Sequence, residues 1–297
     1  MIKGRLITMI EHGQWPLEKR GFLKEELRIF HLKDRITKDF DYHYHDFHKI
    51  IIFLKGNVTY MIEGKAFKLR PWDVLIISHS QIHKPIIDPS EDYERIIIWF
   101  NPEMMAKHHQ TDANLLTCFD MAARRENNRL RLYEERLRKV KSIVHDLMEE
   151  KINPSFGYVE MNKALLIQLI ILLNRDLLDN NQRNQSMDVL FDQNINDIVT
   201  YINQNLNGEL SVNHLASLVF MSKYHLMRKF KAYTGYTLHQ YIVQKRLMYA
   251  KTLMAEGMKL TDVCQTSGFN DYSGFVRAFK KEFGMAPREY LRIRKTV

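Results

Sequence analysis

Phe220-Met-Ser-Lys-Tyr-His-Leu-Met-Arg-Lys-Phe-Lys-Ala-Tyr-Thr-Gly235 and Phe269-Asn-Asp-Tyr-Ser-Gly-Phe-Val-Arg-Ala-Phe-Lys-Lys-Glu-Phe-Gly284 are one pattern written twice. A constant offset of 49 lays Leu226 on Phe275, Arg228 on Arg277, Phe230 on Phe279, Lys231 on Lys280 and Gly235 on Gly284. In each copy two apolar residues four apart share one helix face that can be buried, while the arginine between them projects from another. Ser222 and Asp271 are placed to cap the helix starts, and each closing glycine supplies the left-handed residue that stops a helix. Leu215-Ala216 and Val263-Cys264 precede the two copies at an offset of 48, so the extra residue falls in the turn. Each copy therefore reads as a helix-turn-helix with a short recognition helix, and the repeat implies two related units.

Outward from this repeat, Leu238 to Ala255 reads as an 18-residue helix joining the units, about 27 Å long at 1.5 Å per residue. That length predicts recognition helices about one DNA turn apart, roughly 34 Å, on one face of a duplex. A leading helix is expected over Phe191–Leu206, and Ser211 is expected to cap the first helix of the first motif. Charge follows the same division. From Phe191 to Val297 there are 15 Lys/Arg against 8 Asp/Glu, whereas the first 190 residues carry 29 against 27. The basic excess thus belongs to the C-terminal third and favours a polyanion partner there.

This region of about 100 residues resembles the AraC/XylS-type DNA-binding domain. The resemblance rests on Leu215-Ala216, Ser222, Leu226, Arg228, Phe230-Lys231, Gly235, Tyr241, Arg246, Ala250, Gly268-Phe269, Ser273, Phe275, Arg277, Phe279-Lys280, Gly284 and Pro287. Departures are Phe220 for a turn glycine, Cys264 for an alanine, Gly274 for an aromatic and Ala286 for a serine. The resemblance implies that Tyr224, Met227 and Arg228 in the first helix, and Tyr272, Ser273, Val276 and Arg277 in the second, face bases of double-stranded DNA. Arginine is suited to bidentate guanine contact and apolar atoms to the thymine methyl. Ser222, Lys223, Lys231, Lys280 and Lys281 are placed as phosphate contacts. For the two arginines an ion pair with a neighbouring carboxylate stays open as the structural alternative.

The N-terminal part has another grammar. Ile50–Leu54, Val58–Ile62, Ala66–Leu69, Val74–Ile77 and Ile96–Phe100 are short β-branched and aromatic runs punctuated by Lys55-Gly56-Asn57, Glu63-Gly64-Lys65, Pro71-Trp72-Asp73 and Asp88-Pro89-Ser90. They predict antiparallel strands closing into a sandwich or barrel. His43, His45, Lys49 and Gly56, followed by Pro71-Trp72-Asp73 and His83, resemble the two cupin motifs. Alternation puts His43 and His45 on one strand face, with His83 on a neighbouring strand. Enzymatic cupins add a Glu to these histidines to hold a metal, and here that position is Lys49, whose ammonium would repel a divalent cation. The histidines therefore have three readings: metal ligands, residues hydrogen-bonded within the barrel, or the lining of a pocket for a small effector. The effector reading is adopted, with His43, His45, Lys49, Tyr60, Trp72 and His83 as candidates and no metal or other cofactor assigned.

Asn127 to Glu150 predicts an amphipathic helix with Leu130, Tyr133, Leu137, Val140, Val144 and Leu147 on a heptad seam. A second helix is expected over Tyr158–Leu178, and the pair either covers the barrel or dimerises. The polar Asp179–Asp188 run reads as a linker. No apolar run approaches the roughly 20 residues of a membrane span, the start lacks a signal-peptide core, and Cys118 and Cys264 fit neither a zinc site nor a disulfide framework.

The expected architecture is α+β in two domains: a cupin-like β-barrel over residues 1–110, a helical connector and candidate dimerisation segment over 111–180, a linker over 181–190, and an all-α domain with two helix-turn-helix motifs over 191–297. The function these readings imply is a cytoplasmic, non-enzymatic, effector-controlled transcription regulator. The expected partners are double-stranded DNA, a small molecule such as a carbohydrate, a second copy of the chain and, for an activator, RNA polymerase, with no membrane. A metal-dependent cupin enzyme fused to a DNA-binding module, or a ligand-independent dimeric DNA-binding protein, are the alternatives.

Overall fold

The computed structural model describes residues 23, 25–37, 39–106, 113–124, 128–179 and 189–294. Among the described residues seven strands come first: β1 (Leu27–Asp34), β2 (His48–Lys55), β3 (Val58–Ile62), β4 (Lys65–Lys68), β5 (Asp73–Ile77), β6 (His83–Ile87) and β7 (Tyr93–Phe100). Two short helices, α1 (Pro102–Ala106) and α2 (Thr117–Ala123), lead to strand β8 (Arg129–Arg131), then α3 (Glu134–Ile152) and α4 (Tyr158–Asp179). The strands form two antiparallel sheets ordered β1-β7-β2-β5-β8 and β6-β3-β4-β9, where β9 is Val189–Phe191. The fold is cupin-like, but the two sheets do not close into a barrel.

Strand β2 shows why the sequence folds this way. Successive side chains of a strand point to opposite faces. Ile51 and Phe53 enter the core between the sheets with Val58, Leu75, Ile77 and Ile97. Ile50 and Ile52 enter a second core with Val140, Ile143, Val144 and Leu147 of α3 and Leu166, Leu169, Ile170 and Leu173 of α4. A strand covered on both faces carries a continuous apolar run rather than an alternating one, as Ile50–Leu54 of β2 does. At the β3–β4 hairpin, Glu63 and Gly64 both have positive φ, 49° and 81°, the geometry that fits a two-residue loop to the strand twist.

In the connector, the expected helix start and linker end change, and the choice left open for the helical seam is decided. Helix α3 begins at Glu134, and Leu130 lies on β8, paired with Val74 at the edge of the five-stranded sheet. The seam residues Val140, Val144 and Leu147 are buried in the sheet-and-helix core, so the apolar stripe serves intramolecular packing and is not an open coiled-coil face. The helices therefore belong to the sensor body and do not form a separate connector. Residues 180–188 of the expected linker lie outside the described residues. Val189–Phe191, expected as linker and helix start, instead extends the smaller sheet by pairing with Lys65–Phe67.

The remainder is helical: α5 (Gln193–Gln204), α6 (Val212–Leu218), α7 (Lys223–Thr234), α8 (Leu238–Ala255), α9 (Leu260–Thr266), α10 (Tyr272–Phe283) and α11 (Pro287–Arg294). Ser211, Ser222 and Asp271 cap α6, α7 and α10 by accepting from backbone N–H groups three residues on. Gly235 and Gly284 close α7 and α10 at φ 76°. Among the described residues no helix is long and apolar enough to cross a membrane.

Candidate nucleic-acid interface and buried polar cluster

Each recognition helix is fixed by its apolar face. Leu226 and Phe230 are buried in a core with Leu215, Ala216, Leu238 and Tyr241. Phe275, Phe279 and Phe283 are buried in another with Leu247, Leu253, Val263 and Cys264. The turns are built alike, with Met221 N–H donating to the Ala216 carbonyl and Phe269 N–H to that of Cys264, both at 3.0 Å.

What remains outward is the face on which the sequence placed its DNA-contacting candidates. Tyr224 is 71% exposed, and Met227, Arg228, Tyr272, Ser273 and Arg277 are exposed as well. Among the described residues neither Arg228 nor Arg277 has an ion-pair partner, so their guanidiniums project unpaired into solvent. Val276 is half-buried against the second core, which leaves less of it for a thymine methyl. Lys223, Lys231, Lys280 and Lys281 are exposed around the same faces. Ser222 uses its hydroxyl oxygen to accept from His225 N–H at 3.3 Å and remains exposed.

The second site is inside the sensor domain. Lys49 and Trp99 are direct neighbours across β2 and β7, and both side chains face the inter-sheet space. The Lys49 Nζ donates at 3.1 Å to Nε2 of His83, which stands on β6 of the other sheet. His43, His45 and His83 place their Nδ1 atoms 3.1, 2.7 and 2.9 Å from the carbonyls of Asp41, Phe47 and Gln81. A carbonyl only accepts, so each Nδ1 carries the proton and each Nε2 of a neutral ring presents a lone pair. The His83 ring lies 4.4 Å from that of His43 and 4.9 Å from that of His45, and Tyr60 stacks on it at 6.2 Å.

Burial sets the protonation. It pulls His45 and His83 well below the usual imidazole range, reinforced by the Lys49 charge, so both rings are neutral. Lys49 itself is lowered to about 7 by burial and then by the Arg95 charge. Arg95 is held by both Asp34 oxygens and by the Tyr93 carbonyl at 2.9 Å. Of the nine buried side-chain atoms without a hydrogen-bond partner among the described residues, two belong to this cluster: His45 Nε2, an acceptor, and Trp99 Nε1, a donor. Buried polar atoms are nearly always satisfied, so these two, beside a buried amine, mark a place with unused hydrogen-bonding capacity.

The structure thus brings His43, His45, Lys49, Tyr60 and His83 together but not Trp72. Trp72 sits at φ 70° in the turn before β5, packed toward the helical core, with Lys141 4.7 Å above its ring. Its place in the motif put it near the histidines in sequence, but the turn sends it to the other face of the sheet. Trp99 takes its place. Its signal in the sequence was alternation on β7, where Ile97 and Trp99 share the inward face. No group of three or more His, Cys, Asp or Glu residues placed to hold a metal occurs among the described residues.

These two sites match known families in order along the chain. Residues 29–170 match the model of the AraC-like ligand binding domain, and residues 215–293 match a helix-turn-helix domain model. The chain belongs to the AraC family of transcriptional regulators. Among its relatives, the probable transcriptional regulator LumQ of Photobacterium leiognathi is 26% identical over 258 residues, covering 86% of this chain and 94% of LumQ. The HTH-type transcriptional activator RhaR of Yersinia pseudotuberculosis is 23% identical over 283 residues, 92% of each chain. The Vibrio cholerae ToxT structure with bound unsaturated fatty acid covers 89% of this chain and 94% of its own at 16% identity and a TM-score of 0.36, too loose to transfer geometry. This AraC-family regulator accordingly combines a ligand-binding N-terminal domain with a DNA-binding C-terminal domain.

Proposed function

We propose that the regulator reads paired DNA half-sites through Tyr224, Met227, Arg228, Tyr272, Ser273, Val276 and Arg277, with Ser222, Lys223, Lys231, Lys280 and Lys281 on phosphates. A small polyhydroxylated or anionic metabolite bound at Lys49, His83, His45, His43, Tyr60 and Trp99 controls that reading. The observation that carries the effector site is the buried Lys49 amine on His83 Nε2, beside the unpartnered His45 Nε2 and Trp99 Nε1. A donor, an acceptor and a titratable amine in one dry place suit hydroxyl or carboxylate groups. A conformational change follows only if the metabolite binds two states of the protein unequally.

The proposal extends to action as a cytoplasmic homodimer that meets RNA polymerase at promoters, with no catalytic activity. Since the seam of α3 is packed internally, a dimer uses other surface, and light scattering at micromolar concentration with and without DNA tests it. The effector site is tested by thermal shift against neutral sugars, sugar acids and fatty acids. A compound that raises the melting temperature of the wild type and leaves Lys49→Met unmoved supports the site, while an equal response in both removes Lys49 from it.

A further inference from the structure

Two lysines are buried among the described residues, and they are held in opposite ways. Lys245 is 7% exposed and meets the Glu63 carboxylate at 2.7 Å, the pairing that a buried charge requires. Lys49 is 3% exposed, and among the described residues no carboxylate pairs with it. Its hydrogen bond goes instead to a neutral imidazole, His83 Nε2 at 3.1 Å. The Asp34 carboxylate is taken up by Arg95. Burial, and then the Arg95 charge, lowers the Lys49 amine to about 7. A lysine desolvated in this way beside another cation is a nucleophile at neutral pH.

The hydrogen-bond directions keep its lone pair available. His83 Nδ1–H donates to the Gln81 carbonyl, so Nε2 only accepts and the Lys49 amine is the donor. Donation through N–H does not consume the nitrogen lone pair. The two unpartnered atoms stand around it. Trp99 is the direct neighbour of Lys49 across β2 and β7, its ring centroid lies 5.8 Å from Nζ, and its Nε1–H has no acceptor among the described residues. His45 Nε2 has no donor there, in a ring 4.9 Å from that of His83. A carbonyl compound with a neighbouring hydroxyl satisfies all three: its carbon takes the amine, its carbonyl oxygen accepts from the indole, and its hydroxyl donates to His45. Arg95 is already engaged by Asp34 and by the Tyr93 carbonyl, so an uncharged aldehyde suits the place better than an oxo acid. His43, half-buried with its ring 4.4 Å from that of His83, carries the cluster to the surface and gives a small molecule its way in.

We propose, on the basis of the effector site assigned above, that Lys49 captures a small hydroxyaldehyde covalently, as a reversible imine. The Nζ lone pair attacks the carbonyl carbon, and the C=O π pair moves onto the oxygen. His83 Nε2 takes one Nζ proton and returns it to that oxygen, which gives a neutral carbinolamine. The nitrogen lone pair then forms C=N as the C–O bond breaks, and the oxygen leaves as water with the second Nζ proton, passed through His83. The sum is amine plus aldehyde to imine plus water, with nothing oxidised or reduced. The reverse steps release the aldehyde unchanged, so the event is binding and not turnover. Exclusion of water from the cluster slows hydrolysis and preserves the imine.

Reductive trapping on the full-length wild type tests this, with glycolaldehyde as the probe, sodium cyanoborohydride as the reductant and peptide mapping at short times. An ordinary lysine, with an amine pKa of about 10.4, is almost wholly protonated at neutral pH, so Lys49 is expected to be alkylated roughly tenfold faster than any surface lysine. Its rate should climb with pH to a plateau through a midpoint of about 7, with His43, His45, Tyr60, His83 and Arg95 as the titratable and charged groups around it. In the chain unfolded by guanidinium chloride the preference should vanish. Surface lysines that react as fast as Lys49, or a Lys49 that stays unmodified, overturn the imine. A hydroxyaldehyde that raises the melting temperature of the wild type but not of Lys49→Met, while nothing is trapped, overturns the imine alone and leaves the effector site in place. The effector site itself stands or falls separately, on the thermal-shift screen.

Discussion

The two helix-turn-helix units share a sequence pattern, cap chemistry and turn hydrogen bonds, yet are supported differently. The first unit's core is completed from outside: Ile82 of the sensor is part of it, Tyr42 covers the end of α7, and Glu63 binds α8 through Tyr241 and Lys245. The second is closed mainly by its own aromatic rings, with Phe269 on Phe275 at 5.3 Å, Phe279 on Phe283 at 4.4 Å and Tyr290 5.7 Å from Phe279. Their turns differ too. Gly268 at φ 88° is pressed against the Leu206 carbonyl and Arg246, whereas the corresponding Phe220 holds φ 52° with its ring 99% exposed. A repeated motif fixes local geometry, but its neighbours decide which copy is coupled to the rest of the molecule.

The largest effects should come from emptying the two cores. Phe230→Ala and Phe279→Ala should each cost about 3–5 kcal/mol locally. Hydrogen exchange should show Phe279→Ala loosening α9–α11 alone, and Phe230→Ala also raising exchange around Ile82 and Tyr42. Equal spread in both variants would break the contrast.

Next, Gly268→Ala forces a Cβ to 2.1 Å from the Leu206 oxygen at a φ that disfavours it. It should destabilise by roughly 2 kcal/mol or more, read as a lower denaturant midpoint.

Binding differences follow. Arg228→Ala and Arg277→Ala should each lose about 1–3 kcal/mol of specific affinity and relax preference at one base position. Binding assays over a panel of duplexes will detect this, and a uniform loss over all sequences would make the residue a phosphate contact instead. Gly274 lies in the first turn of α10, where a Cβ would come within 2.7 Å of the capping Asp271 carboxylate. Glycine within a helix costs up to about 1 kcal/mol of helix propensity, so the second unit is expected to show the broader sequence tolerance.

The smallest effect should be Phe220→Gly. It relieves a left-handed conformation without removing a buried contact, and should raise stability by up to about 1 kcal/mol in thermal unfolding. A loss would mean that the exposed ring has a partner.

Much of this was legible beforehand wherever physics is local. Ser222 and Asp271 cap and Gly235 and Gly284 stop their helices because those effects act over three or four residues. Leu238–Ala255 ran as read, since no breaker interrupts it. Leu130 and Tyr133 matched a helical period by coincidence: the unpaired edge of β5 captured Arg129–Arg131, and a strand edge is invisible in sequence. Val189–Phe191 was missed for the same reason, its partner Lys65–Phe67 being more than 120 residues away. Trp72 was misplaced and Trp99 overlooked because motif proximity says nothing about which face of a sheet a side chain takes.

The sequence by itself therefore determined the kind of protein this is. A doubled helix-turn-helix, a basic C-terminal third and a β-rich N-terminal half are properties of spacing and composition. Only the tertiary structure decided how the halves meet. Glu63 looked like an ordinary turn residue and Tyr42 an ordinary neighbour of His43, because a buried ion pair between residues 63 and 245, or a ring against Gly235, exists only once the chain has folded back on itself.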